Sequence, residues 1–220
     1  MIRYLLFDLD GTLTDPGEGI TNAVRYALEK FGIHPADREE LYPYIGPPLT
    51  DSFVRCHGLS PEQAKEALAY YREYFSDKGI FENEPYPGVT DFLGRLRKAG
   101  YTLIIATSKP EEFTWRILDK FALSPYFSFV GGNTLAESRP TKGAVIAYIR
   151  ENYPDMNGDN TLMIGDRRYD IAGAAENGLP AVGVLYGYGS ADELRDAGAA
   201  VLAADFDELE RVIDGWQGNM

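Results

Sequence analysis

IRYLLFDLDGTLTD, residues 2–15, joins a strand pattern to a charged turn. The apolar run Leu5–Phe7 leads directly into Asp8 and Asp10, and Gly11 follows. A short apolar run that ends in carboxylates and glycine is typical of a buried strand that stops at a functional site. Two carboxylates this close repel each other, and a bound cation would remove that cost. A charged turn after an ordinary strand is the alternative, so the rest of the chain has to supply the partners of such a site.

Strand and helix patterns alternate along residues 89–213, and this alternation predicts a parallel sheet with right-handed crossovers. Residues 16–83 show helical patterns only, among them a capping box at Ser60 and Gln63 that opens a long helix. The sequence therefore predicts an α/β fold in which a helical segment interrupts the sheet domain after its first strand. The predicted domains are a core formed by residues 1–15 and 84–220 and a helical cap formed by residues 16–83.

The formal net charge of −13 disfavours nucleic-acid polymers and anionic membranes as partners. No segment approaches the roughly 18 apolar residues of a membrane span, and the N-terminal residues carry no secretion-signal pattern. A single cysteine, Cys56, allows no intrachain disulfide, so a reducing cytoplasm is the expected location. We expect Cys56 to be a small buried apolar residue and not a nucleophile.

Ligands of an open parallel sheet bind beyond the carboxyl ends of its strands, so the residues at those ends are informative. Carboxylates, hydroxyl groups and lysines occupy such positions: Asp8 and Asp10 after the first strand, Thr107, Ser108 and Lys109 after the next, Lys142 at the start of a helix, and Asp166 and Asp170 after a later strand. This collection suits phosphoryl transfer. The hydroxyl groups of Thr107 and Ser108 and the ammonium of Lys142 can hold the non-bridging phosphate oxygens.

The carboxylates divide the remaining chemistry. Asp8 can attack phosphorus and form an aspartyl phosphate, which splits one difficult step into two. Asp10 can donate a proton to the leaving oxygen and later take one from water, provided that Gly11 allows the turn that brings it back to the site. Hard oxygen ligands from Asp8 and Asp166 suit Mg²⁺, which would offset their repulsion and neutralise phosphate charge.

Four of these features resemble the motifs of the haloacid dehalogenase superfamily: DLDGT at residues 8–12, strand-terminal Thr107, Lys142, and GDRRYD at residues 165–170. The resemblance covers the whole chain, and it implies a Rossmann-like parallel sheet core with helices on both faces plus an inserted helical cap. It implies Asp8 as nucleophile and Asp10 as general acid and base. It also implies Mg²⁺ on the Asp8 carboxylate, the backbone carbonyl of Asp10 and Asp166, with Asp170 just outside the metal shell or acting through its water.

The lysine motif departs from the commoner pattern of the superfamily. That motif often contains a Lys-Pro pair, whereas Arg139 and Pro140 precede Lys142 here. Either cation could reach phosphate, and we favour Lys142. Dehalogenase members lack an acid at the position of Asp10, so its presence favours phosphate esters over haloacids. The chain most resembles the phosphoglycolate phosphatase-like and 5′-nucleotidase-like group.

The expected function is that of a Mg²⁺-dependent phosphatase acting on small-molecule phosphate monoesters. Phosphoglycolate, a nucleoside monophosphate and a sugar phosphate all remain open as the substrate. A sugar-phosphate phosphomutase would share every catalytic residue, and a non-catalytic phosphate-ligand binding protein could keep the fold without turnover. Lys109, Arg25 and Tyr44 are candidate substrate contacts, and Tyr186 and Tyr188, flanked by glycines, are candidates for lining the cleft.

Overall fold

The chain forms two compact units in the computed structural model, which describes residues 1–216. One unit combines Met1–Leu13 with the chain from Pro85 onward, and the other is Thr14–Glu84. We refer to them as the sheet unit and the insert. The domain boundaries expected from the sequence, after residues 15 and 83, remain a prediction.

The secondary structure alternates between strands and helices outside the insert. The insert is helical except at its two ends, where two short strands lie. Along the chain the elements are β1 (Tyr4–Phe7), β2 (Thr14–Asp15), α1 (Gly17–Glu29), α2 (Leu49–His57), α3 (Pro61–Phe75), β3 (Glu84–Pro85), α4 (Val89–Lys98), β4 (Thr102–Pro110), α5 (Glu111–Lys120), β5 (Phe129–Asn133), α6 (Lys142–Asn152), β6 (Thr161–Gly165), α7 (Arg168–Glu176), β7 (Ala181–Val184), α8 (Ala191–Asp196), β8 (Val201–Ala203) and α9 (Phe206–Asp214). Short 3₁₀ helices lie at Glu39–Tyr44, Gly79–Phe81 and Ser124–Tyr126.

Six parallel strands form the sheet, in the order β5-β4-β1-β6-β7-β8. β1 lies between β4 and β6, and Phe7 at its end pairs with Ile105 on one side and with Ile164 on the other. Because these strands are parallel, their carboxyl ends meet at one edge of the sheet. The predicted α/β fold, a parallel sheet flanked by helices, is confirmed.

β1 is buried on both of its faces, which is why it is a continuous apolar run and not an alternating one. Leu6 packs in a core cluster with Ile146 of α6 and Ile171 of α7. The next side chain, Phe7, makes an edge-to-face contact with Phe92 of α4, with ring centroids 6.1 Å apart. Helices on both faces of the sheet therefore seal the strand that carries the two aspartates.

β4 is longer than the predicted strand, which ends at Ala106. It continues to Pro110, because pairing with β5 resumes between Pro110 and Asn133 after a register shift. As a result, residues 107–109 belong to the strand itself.

The insert is built from α1, α2 and α3, with α3 packed against both of the others. The predicted capping box is present at the start of α3, where the Ser60 hydroxyl accepts from the backbone N–H of Gln63 and the Gln63 side chain accepts from the N–H of Ser60.

β2 and β3 form a separate two-stranded sheet. Within residues 1–216, no helix is long and apolar enough to cross a membrane.

The expectation that Cys56 is buried is wrong, because the thiol is exposed. α2 buries Ser52 and Phe53, whereas Val54 and Arg55 are exposed like the cysteine that follows them. The exposure of Cys56 therefore follows from its position on the short helix α2, on the side that the helix does not bury, and not from the apolar character of cysteine.

Candidate active site

Asp8 leaves the end of β1 and is 4% exposed. Its Oδ1 accepts a hydrogen bond from the backbone N–H of Leu9, at 2.8 Å, and an ion pair from Lys142 Nζ, at 2.9 Å. Both contacts hold the same oxygen, so the plane of the carboxylate is fixed. Such a fixed, buried carboxylate at a strand end suits the proposed nucleophile.

Lys142 is the first residue of α6, and its ammonium contacts oxygen atoms of three other residues. Nζ is 2.7 Å from the carbonyl oxygen of Ala106, 2.8 Å from Asp170 Oδ1 and 2.9 Å from Asp8 Oδ1. Burial lowers the pKa of the Lys142 ammonium, but the carboxylates of Asp170 and Asp8 outweigh it and raise the pKa above its ordinary value. The lysine is therefore a fixed positive charge between two acids.

Arg139, the other cation of the same segment, is bound elsewhere. Its guanidinium donates to Glu111 Oε1 at 2.6 Å and to the carbonyl oxygen of Gly132 at 2.6 Å, and it lies 3.9 Å from the ring centroid of Tyr148. These contacts tie the segment before α6 to the start of α5 and to β5. The geometry supports Lys142, and not Arg139, as the candidate phosphate ligand.

Asp10 and Lys109 form a buried ion pair that the sequence did not predict. Lys109 Nζ lies 2.9 Å from Asp10 Oδ1 and 2.7 Å from Oδ2, so it contacts both carboxylate oxygens. Burial raises the pKa of the Asp10 carboxyl, and Lys109 opposes that rise. The only sequence signal for this pair was that both residues follow neighbouring strands. Lys109 thus contacts Asp10, the candidate general acid and base. The predicted role of Lys109 as a substrate contact stays a prediction.

Asp8, Asp166 and Asp170 form a buried acidic cluster, with one carboxylate oxygen of each lying within 4.8 Å of the others. Burial raises the pKa of Asp166 well above its ordinary value, and the charges of Asp170 and Asp8 add to the effect. Burial likewise raises the pKa of Asp170 to about 6, against the lowering effect of Lys142. Three buried carboxylates this close together repel one another, and a divalent cation bound between them would offset that repulsion. An all-oxygen donor set of this kind suits Mg²⁺.

Asp170 also holds the start of α7. Its Oδ2 accepts from the backbone N–H of Arg167 at 3.0 Å, while its Oδ1 faces Lys142. The helix-capping contact and the ion pair with Lys142 thus use different oxygens of one carboxylate.

The candidate phosphate hydroxyls lie on the last residues of β4. Thr107 is 2% exposed, and its Oγ1 accepts from the backbone N–H of Lys109 at 3.3 Å. Ser108 is half-buried. Since Ala106 directly before them contacts Lys142, the strand end lies beside the candidate phosphate lysine.

The two candidate contacts in the insert differ from each other. Tyr44 is 1% exposed, its hydroxyl is bonded to His57 Nδ1 at 2.8 Å, and its ring packs edge-to-face on Phe53. These contacts favour a packing role for Tyr44. Arg25 is half-buried, and within residues 1–216 its buried Nε has no hydrogen-bond partner.

The chain is similar to one protein family and to several characterised or solved relatives. The family described as haloacid dehalogenase-like hydrolase matches residues 5–184. The chain is 40% identical to a 5′-nucleotidase of Pseudomonas aeruginosa over 97% of each protein. It is 36% identical to the tyrosine-protein kinase PtkA of Mycobacterium tuberculosis, over 96% of this chain and 72% of that protein. The crystal structure of a "predicted phosphatase" from Clostridium acetobutylicum matches with a TM-score of 0.95 at 44% identity, covering 98% of this chain and 100% of that one.

Proposed function

This chain belongs to the haloacid dehalogenase-like hydrolase family, and we propose that it uses Mg²⁺ and an aspartyl phosphate to hydrolyse small phosphate monoesters. Its class, phosphoric monoester hydrolase, follows from the family and from its relatives. The metal, the intermediate and the substrate are the proposed parts. The observation that carries the metal and the intermediate is the buried Lys142 ammonium, held between Asp8 and Asp170 beside Asp166.

In the first step, an Asp8 oxygen forms a bond to phosphorus and the bond from phosphorus to the ester oxygen breaks. Asp8 Oδ1 is held by Leu9 N–H and Lys142, so the second oxygen is the proposed nucleophile. Asp10 gives a proton to the leaving oxygen, which departs as an alcohol. In the second step, Asp10 takes a proton from water, the water oxygen attacks phosphorus, and the carboxylate of Asp8 is restored as phosphate leaves.

Asp8, Asp166 and the backbone carbonyl of Asp10 are the proposed Mg²⁺ ligands, and Asp170 lies just outside them. The bound ion would neutralise charge on the phosphoryl group. Thr107, Ser108 and Lys142 hold the non-bridging oxygens of that group. Each of these residues lies at the carboxyl end of a strand or the start of the helix that follows one, which is where ligands bind in an open parallel sheet.

The substrate is proposed to be a compact phosphate ester, either a nucleoside 5′-monophosphate or phosphoglycolate. The 5′-nucleotidase relative supports the first, and the motif resemblance supports the second. We expect the purified protein with Mg²⁺ to release phosphate from at least one of these esters. EDTA should reduce release to the level of buffer alone, and added Mg²⁺ should restore it. No release from a broad panel of metabolites would contradict catalysis and favour a binding protein.

Mg²⁺ should also stabilise the folded protein, because only the folded chain assembles the acidic cluster. At a concentration of about 100 times its Kd, the ion should raise the free energy of unfolding by about 2.7 kcal/mol. Thermal melts with and without Mg²⁺ measure the effect. Asp166→Asn, which removes one carboxylate from the cluster, is the matched variant and should lose most of the shift. An equal shift in both proteins would place the ion elsewhere.

Phosphoryl transfer to an acceptor other than water is the second candidate. The relative named a tyrosine-protein kinase favours it, and a phosphomutase would use the same residues. Product analysis separates the three reactions. Hydrolysis yields free phosphate, a mutase yields an isomer of a sugar phosphate, and a kinase moves phosphate from a nucleoside triphosphate to a tyrosine-containing peptide.

Arg25 is proposed to contact the substrate through an anionic group or oxygen beyond the phosphoryl group. Its Nε is buried without a partner among residues 1–216, in a chain with a net charge of −13. Arg25→Met should raise KM by about 10-fold or more, the value of one charge-assisted hydrogen bond, with little change in kcat. Steady-state kinetics measure the split. Lys65→Met, which removes an exposed cation from α3, should change neither constant. An unchanged KM in Arg25→Met removes this residue from substrate binding.

A reducing cytoplasm is the proposed location, and small phosphate esters are the proposed partners. A single cysteine and the acidic composition support both, because no intrachain disulfide is possible and polyanions are repelled.

A further inference from the structure

The loop at residues 185–190, which follows β7, closes on Asp166. The backbone N–H of Tyr188 donates to Asp166 Oδ2 at 2.8 Å. The other oxygen, Oδ1, accepts from the hydroxyl of Thr12 at 3.3 Å. Both oxygens of this fully buried carboxylate are thus held by groups of the chain.

Two glycines allow the loop to come this close. A Cβ on Gly187 would lie 2.4 Å from the Cβ of Asp166, and a Cβ on Gly189 would lie 1.9 Å from its carbonyl oxygen. Both distances are far below van der Waals contact, so a side chain at either position would displace the loop or the aspartate. This contact explains the two glycines of YGYGS, residues 186–190.

Tyr186 connects the loop to Thr12. Its hydroxyl donates to the backbone carbonyl of Thr12 at 3.1 Å. Its ring is fixed by Tyr86 and Phe206, each with a ring centroid 5.1 Å away. Burial raises the pKa of the Tyr186 hydroxyl well above its ordinary value, and the charge of Asp166 adds to the rise. The hydroxyl therefore stays protonated and remains a donor.

We propose that Tyr186 is a positioning residue, which fixes the Asp166 carboxylate through Thr12 for binding of a divalent cation. A tyrosine hydroxyl holds the backbone of Thr12, and the hydroxyl of Thr12 in turn holds Asp166. Groups that orient metal ligands typically change metal affinity by about 10- to 100-fold when they are removed. The inference rests on the proposed role of Asp166 as a Mg²⁺ ligand. Packing of an aromatic ring beside the sheet is the simpler alternative, and it requires the ring but not the hydroxyl.

Tyr186→Phe separates the two roles, because it keeps the ring and removes only the hydroxyl. We expect the Kd for Mg²⁺, measured by calorimetry on the full chain, to rise about 10-fold. Tyr101→Phe is the matched control, since it removes a hydroxyl that donates to Asp214 at 3.2 Å. This control should bind Mg²⁺ as the wild type does. A purely structural role would lower the thermal midpoint of the metal-free protein and leave the Kd unchanged, which would overturn the proposal.

Thr12→Val tests the connection itself, because valine keeps the shape of threonine without its hydroxyl. We expect it to raise the Kd for Mg²⁺ at least as much as Tyr186→Phe does. The double variant should bind Mg²⁺ as tightly as whichever single variant has the higher Kd, since both changes interrupt one chain of contacts. If instead the fold-changes in Kd of the two single variants multiply in the double variant, the proposed connection is overturned. If the wild type binds Mg²⁺ but Tyr186→Phe binds it equally well, only this inference fails. If the wild type does not bind Mg²⁺, the metal role in the proposed function fails with it.

Discussion

Asp8→Asn should lower kcat for phosphate release by about 10⁴-fold or more, which is the usual scale for loss of a nucleophile. Asparagine has the size of aspartate but cannot form the acyl phosphate. Its side-chain oxygen can still accept from Leu9 N–H and from Lys142, the two contacts that hold Asp8 Oδ1. We therefore expect the variant to fold. Initial rates of phosphate release, with circular dichroism as the check on folding, measure the effect.

The intermediate itself provides a second readout of the same variant. Wild-type protein quenched in acid during turnover should carry phosphate that hydroxylamine removes, since acyl phosphates react with it. Asp8→Asn should carry none. Asp155→Asn is the matched control, because it changes a half-exposed aspartate that binds Arg3 and Tyr4. It should leave kcat at the wild-type value, because the side chain of Asp155 contacts Arg3 and Tyr4, which lie outside the candidate active site. A wild-type rate in Asp8→Asn would remove the aspartyl-phosphate route.

The position of the site was predictable because it depends on backbone topology. Apolar runs identified the strands, and parallel strands bring their carboxyl ends to one edge. That rule was enough to predict that Asp8, Lys142, Asp166 and Asp170 would gather, and the structure brings them together. Where hydrophobic burial decides the structure, the sequence pattern carries the information directly.

The pairing of charges was not predictable in the same way. Whether Lys109 or Lys142 contacts a given aspartate depends on side-chain reach and on how far β4 extends. The extension of β4 to Pro110 depends on a register shift against β5, which leaves no local signal. The closure of residues 185–190 on Asp166 is also tertiary. The sequence shows that glycines follow Tyr186 and Tyr188, but only the fold shows that Asp166 lies where side chains at Gly187 and Gly189 would be.

Lys142→Met should both inactivate the enzyme and lower its free energy of unfolding by about 3–5 kcal/mol, the usual cost of removing one partner of a buried ion pair. Lys142 is 4% exposed, and its ammonium contacts Asp8, Asp170 and the carbonyl oxygen of Ala106. Without it, two buried carboxylates face each other and the carbonyl loses its donor. Urea unfolding in EDTA measures the stability. Lys98→Met, an exposed lysine on α4, is the control and should stay within about 0.5 kcal/mol of the wild type.

A charge-balanced double variant separates the two roles of the lysine. Lys142→Met with Asp170→Asn removes one buried charge of each sign, so it should recover a substantial part of the lost stability. It should recover none of the activity, since the cation that holds the phosphoryl oxygens is still absent. If Lys142→Met alone unfolds at the wild-type urea concentration, the buried ion pairs do not stabilise this fold. If the double variant regains turnover, Lys142 acts through charge balance alone and the phosphate contact belongs to another residue.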